Sequence, residues 1–288
     1  MAIESLRALM EASENRDICD VILESDCVDR GVTKEASFKK MRALYAAIHR
    51  AKAGYDPKLR SASGMVGGDG AKMRAYVQSG KTICGDYIGQ VIAQALEMGE
   101  SNACMKCIVA APTAGSCGVL PAVLLPYQAR EGLDDDTMVR AMYVAGAIGQ
   151  VVAAKASIAG AAGGCQAEIG TASAMGAAAL CYLGGGDAQA VCHAAAIAIK
   201  SMLGLVCDPI AGLVEVPCVK RNAAGAMIAM SSADMALAGI RSAVPPDEVI
   251  LAMREVGDKM DVSLKETGVG GVAGTPFGQK IAEEMGIQ

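Results

Sequence analysis

The sequence predicts a mainly α protein, a compact bundle of roughly ten helices connected by loops rich in glycine and proline. Apolar residues recur at helical spacing along most of the chain, and no segment alternates apolar and polar residues as a strand does. The interior must also be filled by small residues, because the 288 residues include no tryptophan, 2 phenylalanines and 34 glycines. Small side chains allow helices to approach one another closely.

The amino-terminal part predicts two helices, over residues 3–28 and 34–53, the second bounded by Thr33 and Gly54. We interpret residues 1–55 as a helical arm. Residues 56–288 would form the main body, continuous with the arm, since no linker or change in composition separates them.

The main body predicts a series of further helices whose ends carry capping and stop residues. Thr82 and Gly99 bound one of them, Asp187 and Gly204 bound another, and Asp247 caps a third. The predicted helices cover residues 82–98, a segment starting near residue 117, and residues 134–158, 166–183, 188–203, 221–239, 247–256 and 278–285.

Composition excludes several classes of partner. The net charge of −5 and the absence of a basic block argue against nucleic acid. Residues 141–183 are strongly apolar, but Lys155 and Glu168 are among the polar residues that interrupt the run of about 20 residues that a membrane span needs. The amino terminus lacks the apolar core of a signal peptide. Eleven cysteines without an export signal indicate a reducing compartment, so we expect a cytoplasmic protein without membrane contact.

Three cysteines lie on segments shaped by glycine and proline. Cys165 follows a Gly-Gly turn, whereas Cys207 and Cys218 lie beside prolines on a stretch that we expect to be non-helical. Three thiolates can hold a soft metal centre. A [4Fe–4S] cluster usually takes four thiolates, so three would leave one iron open for chemistry. The alternative is that all three are buried structural cysteines. The single CxxC pair, Cys104 and Cys107, is weak evidence for zinc or redox chemistry.

Two loops could bind an anion. Thr113, Gly115, Ser116 and Gly118 precede an apolar helix, where free N–H groups and the helix dipole favour a carboxylate, although a simple N-cap would give the same pattern. Residues 61–73 are rich in serine and glycine, and such a segment is more often only a loop. Of the two histidines, His193 fits a core position and His49 a surface position, so no general base stands out.

Several strings resemble the α chain of iron–sulfur L-serine dehydratase: GGCQAEIG, GLVCDPIAGLVEVPCVKRNA, IVAAPTAGSCGVLPAVLL, SASGMVGGDGAKM and SGKTICGD. They occur in the family's order over about residues 60–270 and include the spacing of the three cysteines. The resemblance implies that Cys165, Cys207 and Cys218 hold a [4Fe–4S] cluster in a catalytic iron–sulfur domain. It also implies a lyase that eliminates water from L-serine, giving pyruvate and ammonia, with cluster iron as Lewis acid toward the leaving hydroxyl.

The resemblance further implies which loops line the substrate site and which parts this chain lacks. The implied substrate-binding residues are Thr113, Gly115, Ser116, Gly118, Ser63, Gly67, Gly68 and Asp69. The family's Ser-Ser-His-Thr motif is not found, so we expect a separate β subunit, which would carry the general base. No cysteine follows Cys218, in contrast to single-chain members, so the residue that provides the fourth ligand of the cluster is not identified. The alternatives are a related iron–sulfur L-cysteine desulfidase and a non-enzymatic metal-binding protein.

Overall fold

A computed structural model describes residues 3–287 and contains thirteen α-helices there. They are α1 (Leu6–Ala12), α2 (Ile18–Arg30), α3 (Lys34–Ala53), α4 (Asp69–Gln78), α5 (Gly85–Ala103), α6 (Val119–Glu131), α7 (Asp135–Lys155), α8 (Gly160–Gly163), α9 (Thr171–Leu183), α10 (Ala188–Met202), α11 (Cys218–Leu237), α12 (Pro246–Lys259) and α13 (Pro276–Glu284). No strand occurs among these residues, and the sole β-bridge is an isolated parallel one between Cys207 and Lys265. The mainly α prediction is confirmed, with a few more helices than expected.

Helix α9 lies at the centre of the bundle and packs against α7, α10 and α11. Its contacts are made by small residues: a Cβ on Gly176 would lie 3.2 Å from the Cβ of Ala229 on α11. A Cβ on Gly225 of α11 would lie only 2.8 Å from Ile169, just before α9. Glycine at these positions therefore sets how closely the helices approach, as the shortage of aromatic residues predicts.

The prediction of one helix over residues 3–28 is wrong. The chain turns within that range and forms two helices, α1 and α2. Asp17 ends the turn by accepting a hydrogen bond from the backbone N–H of Cys19 at 2.8 Å, which caps α2. Asp247 also departs from its predicted role. Its carboxylate accepts the N–H groups of Leu6 at 3.0 Å and Arg7 at 2.8 Å, so it caps α1 from a distant part of the chain.

Helix α5 runs from Gly85 to Ala103 and so differs from its prediction at both ends. Thr82 lies outside the helix and does not cap it, and Gly99 does not stop it. A Cβ on Gly99 would lie 3.2 Å from Val219 of α11, so this glycine serves helix packing and not helix termination.

The expectation of a non-helical segment fails at Cys218, which is the first residue of α11. Pro217 at the preceding position is compatible with a helix start, where no intrahelical N–H bond is needed. Cys207 does lie outside any helix, in the bridge to Lys265. The proline beside each cysteine therefore marks a helix start in one case and an extended segment in the other.

The arm and the main body share one apolar core. Leu6, Leu9, Tyr45 and Ile48 are fully buried and belong to the same cluster as the residues of the central helices. The division at residue 55 stays a prediction. By length and composition, α7 could cross a membrane, but 67% of its apolar window is buried in the protein, and the core helix of a soluble protein passes the same test.

Candidate metal centre

Two of the predicted ligands meet in a buried group with a glutamate. The Sγ atoms of Cys165 and Cys207 and a carboxylate oxygen of Glu168 all lie within 4.8 Å of one another. Cys218 is outside this group but near it. Burial, followed by the negative charges of Cys165 and Glu168, raises the pKa of the Cys218 thiol to about 12. The three cysteines are 2%, 2% and 7% exposed, in chain order, so all are shielded from solvent.

The chain around Cys165 is shaped by glycine and by a π-helical turn. Gly164 has a φ of 74°, in the left-handed region, and the π turn Gln166–Gly170 follows the cysteine directly. A Cβ on Gly160 would lie 2.7 Å from Oε2 of Glu168 and 2.8 Å from Sγ of Cys207. Any larger residue would fill the space beside these ligand atoms.

The carboxy-terminal loop fixes Cys207 from the other side. The Cys207 N–H donates to the carbonyl of Leu264 at 2.8 Å, and the Glu266 N–H donates to the carbonyl of Cys207 at 2.7 Å. Both backbone polar groups of this cysteine are therefore satisfied in the extended segment. Glu266 has a φ of 63° and places its carboxylate near Gly160, so a second acidic group faces the site.

Arg221 brings positive charge to the cysteines from α11. Its Nη2 lies 2.8 Å from Oδ1 of Asp208, and its Nη1 donates to the carbonyl of Val206 at 2.8 Å. The hydrogen bond from Cys207 and the Arg221 charge lower the pKa of Cys165. The same hydrogen bond, with burial, raises the pKa of Cys207. The two shifts have opposite directions because the thiol of Cys207 donates its hydrogen bond to the sulfur of Cys165.

Glu168 connects the cysteines to the loop that precedes α6. Its Oε1 accepts a hydrogen bond from Oγ1 of Thr113 at 2.8 Å, and its Oε2 lies 3.8 Å from Sγ of Cys207. Burial raises the pKa of this carboxyl, and the negative charge of Glu266 adds to that shift. Glu168 was not among the site residues predicted from the sequence. Its position three residues after Cys165, the spacing of side chains on one helix face, was the available signal.

The turn Thr113–Gly118 lies against α11 and beside Glu168. Asn222 holds it with two hydrogen bonds of 2.8 Å, one accepted from the Gly118 N–H and one donated to the Gly115 carbonyl. Within residues 3–287, the N–H groups of residues 114–116 make no hydrogen bond. Ser116 is fully buried, and its hydroxyl accepts from the Thr113 N–H at 3.3 Å. The turn therefore has free donors, but this serine faces inward.

The loop 61–69 reaches the segment between Cys207 and Cys218 through Glu215. Ser61 donates to the Glu215 carboxylate at 2.5 Å, and Ser63 donates to the same oxygen. The N–H of Asp69 donates a hydrogen bond to the Glu100 carboxylate at 2.6 Å. Gly67 and Gly68 pack against the backbone of residues 57–59 and against Arg60. A substrate role for Ser63, Gly67, Gly68 and Asp69 stays a prediction.

The histidines lie in other surroundings. His193 accepts a hydrogen bond at Nδ1 from the Ser242 N–H at 3.1 Å, and burial lowers its pKa. His49 contacts the ring of Tyr45 edge-on at 4.9 Å between centroids. These contacts give each histidine a structural partner on the helical scaffold.

The fold and the buried thiol–carboxylate group define a helical protein with a candidate metal centre, and comparison with known proteins identifies its family. Residues 8–273 match the family described as serine dehydratase alpha chain, and the chain therefore belongs to this family. The resemblance stated from the sequence is confirmed.

Individual relatives agree with this assignment. The chain is 45% identical over 287 residues to a probable L-serine dehydratase, alpha chain, of Bacillus subtilis, covering 98% of this chain and 94% of that protein. It is 43% identical over 289 residues to the L-serine dehydratase, alpha chain, of Peptoniphilus asaccharolyticus, covering 98% of each. It is also 45% identical over 183 residues to L-serine dehydratase 1 of Escherichia coli, which covers 62% of this chain and 40% of that protein.

Proposed function

We propose that this chain is the α subunit of a [4Fe–4S]-dependent L-serine dehydratase, a lyase that converts L-serine to pyruvate and ammonia. One observation carries the proposal: Cys165 and Cys207, far apart in sequence, meet with Glu168 in a buried group, in a chain whose relatives are named L-serine dehydratases. Cys165, Cys207 and Cys218 would hold the cluster.

The residues present fit such a group. Buried thiolates are the ordinary ligands of iron–sulfur clusters. Gly160 keeps open the space that a Cβ would fill beside Cys207 and Glu168. Arg221 offsets part of the negative charge that several thiolates concentrate. A cluster of several irons is also larger than a single ion, which agrees with a third thiol, Cys218, just outside the close group.

When bound, a cluster with an open iron would act as a Lewis acid toward the serine hydroxyl, which is a poor leaving group. The chain itself would bind and orient the amino acid. The free N–H groups of residues 114–116, just before α6, would be the donors for the substrate carboxylate. Thr113 would fix this turn relative to the cysteines, because it donates to Glu168.

The proton on the α carbon of serine needs a base. Neither histidine lies in the group formed by Cys165, Glu168 and Cys207, since both are held by contacts elsewhere. We therefore place the general base on a β subunit, which would close over the site. Both subunits would act in the cytoplasm, where thiols stay reduced.

The test is iron and sulfide analysis of the anaerobically reconstituted chain, followed by a serine turnover assay with its β subunit. We expect about four irons per chain and pyruvate formation from L-serine. A colourless, iron-free chain after reconstitution would contradict the proposal and favour a protein without this cluster. Turnover of L-cysteine to the exclusion of L-serine would contradict the substrate.

A further inference from the structure

We propose that Glu168 is the fourth ligand of the cluster in the absence of substrate, binding the iron that the three cysteines leave without a thiolate. This inference rests on the proposed function, because it needs the cluster to be present. It concerns a residue that was not among the ligands predicted from the sequence.

The position of the carboxylate is the first argument. Glu168 presents an oxygen within 4.8 Å of both Cys165 Sγ and Cys207 Sγ, and no other cysteine joins this close group within residues 3–287. Oε1 of Glu168 accepts a hydrogen bond from the Thr113 hydroxyl at 2.8 Å. Its Oε2 lies 3.8 Å from the Sγ of Cys207. One oxygen is thus held by the protein and the other is directed at the sulfur ligands.

Charge balance is the second argument. No lysine or arginine of the described chain lies within ion-pair distance of Glu168 or of Glu266, although both carboxylates face Cys207. The nearby guanidinium of Arg221 is engaged by Asp208. Half-buried carboxylates beside thiolates are costly unless a cation compensates them. An iron atom bound at Oε2 would supply that compensation.

The backbone around Glu168 is fixed by hydrogen bonds, which hold the carboxylate toward Cys207. Its π turn is anchored at Gln166, whose N–H donates to the carbonyl of Leu205 at 2.9 Å and whose side chain bonds the N–H of Gly204 and the carbonyl of Met253, each at 2.9 Å. Such turns inside helices are frequent at functional sites. A ligand on a fixed turn loses little freedom when it binds metal.

The same position explains how substrate would gain access to the iron. The turn proposed to bind the serine carboxylate contacts Glu168 through Thr113, so serine bound there would lie beside this side chain. Cluster iron would supply a Lewis acid toward the serine hydroxyl. The Glu168 carboxylate, displaced by substrate, would keep its hydrogen bond to Thr113.

The experiment measures whether solvent water reaches the cluster iron. The full chain is reconstituted anaerobically, reduced, transferred to water enriched in oxygen-17 and examined by electron–nuclear double resonance without serine. We expect no oxygen-17 coupling in the wild type and a clear coupling in Glu168→Ala, where water occupies the vacated position. Glu168→Gln, of nearly equal size, serves as the second variant. Glu266→Gln is the matched control and should match the wild type.

Each outcome decides the matter. Water coupling already present in the wild type overturns the inference, even if Glu168→Ala fails to hold a cluster. No gain of coupling in either Glu168 variant also overturns it, as does an equal gain in Glu266→Gln. A wild-type chain that takes up no iron overturns the proposed function as well, and iron analysis separates that case from the others.

Discussion

Gly160 determines the space at the candidate metal centre, and adding a single methyl group tests this. In Gly160→Ala, the new Cβ would lie within 2.8 Å of both the Glu168 oxygen and the Cys207 sulfur, which real Cβ atoms do not tolerate. We expect the variant to fold and to lose most of its iron, measured by iron analysis and visible absorption. Gly146→Ala is the control, because nothing lies within 4 Å of its added Cβ. Equal iron in both variants would contradict the prediction.

The three proposed ligands differ from the other buried cysteines in what surrounds them. We expect Cys165→Ser, Cys207→Ser and Cys218→Ser each to abolish cluster binding, since a neutral hydroxyl is a poor substitute for a thiolate on iron. Cys192→Ser is the control. Cys192 is fully buried in α10, where its thiol contacts the carbonyl of Leu6 at 3.8 Å. The measurement is the iron and sulfide content of each reconstituted variant. Retention of the cluster in Cys207→Ser would refute the ligand set.

Ser116 acts on the shape of the turn proposed to bind substrate. Its fully buried hydroxyl bonds the Thr113 N–H and lies 3.1 Å from the Thr113 hydroxyl. We expect Ser116→Ala to loosen the turn and weaken serine binding by about tenfold, equivalent to about 1.4 kcal/mol, with the cluster absorbance unchanged. The KM for serine in the assembled enzyme measures this. Loss of the cluster with unchanged serine affinity would show that the turn supports the metal site instead.

At the scale of elements, α1 depends on a cap supplied from α12. Asp247 accepts the N–H groups of Leu6 and Arg7 at the start of α1, so its loss leaves these two donors without this partner. We expect Asp247→Ala to lower the free energy of unfolding by about 1–2 kcal/mol. Urea unfolding followed by circular dichroism measures the change. The exposed neighbour Glu248→Ala is the control, and equal stability of the two variants would count against the cap.

Elements whose ends are determined locally were predicted well. Helix α3 begins after Thr33 and ends before Gly54, because Thr33 accepts the N–H of Ala36 and caps it. Elements whose ends depend on tertiary contacts were predicted poorly. Gly99 continues α5 because Val219 needs the space, and Asp247 caps a helix some 240 residues away in sequence. Local spacing carries no information about such partners.

The candidate site shows the same division. Its cysteines and the Thr113–Gly118 turn were marked by unusual strings, but their mutual position was not. Glu168 joins them only because the π turn directs its side chain to both Thr113 and Cys207. The bond between Ser63 and Glu215 likewise joins segments about 150 residues apart. Sequence therefore indicated which segments matter, and packing determined which side chains complete them.

At the scale of the whole molecule, the decisive question is whether one chain suffices for the reaction. The proposed substrate position would combine the unbonded N–H groups of residues 114–116 with the group of Cys165, Glu168 and Cys207, and neither histidine belongs to that group. We expect the reconstituted chain alone to bind its cluster yet to form pyruvate at a small fraction of the rate seen with a β subunit, because we place the general base for the α-proton on that subunit.

The measurement is anaerobic pyruvate formation from L-serine as the β subunit is titrated into a fixed amount of the loaded chain. The expected result is activity that rises from near zero and saturates at a fixed ratio of subunits, while iron per α chain stays constant. A Cys192→Ser chain should give the same curve, and a Cys207→Ser chain should give none. Full activity at zero β subunit would show that a residue of this chain takes the proton. Glu168, directed at the site and held by Thr113, would then be the group to test as that base.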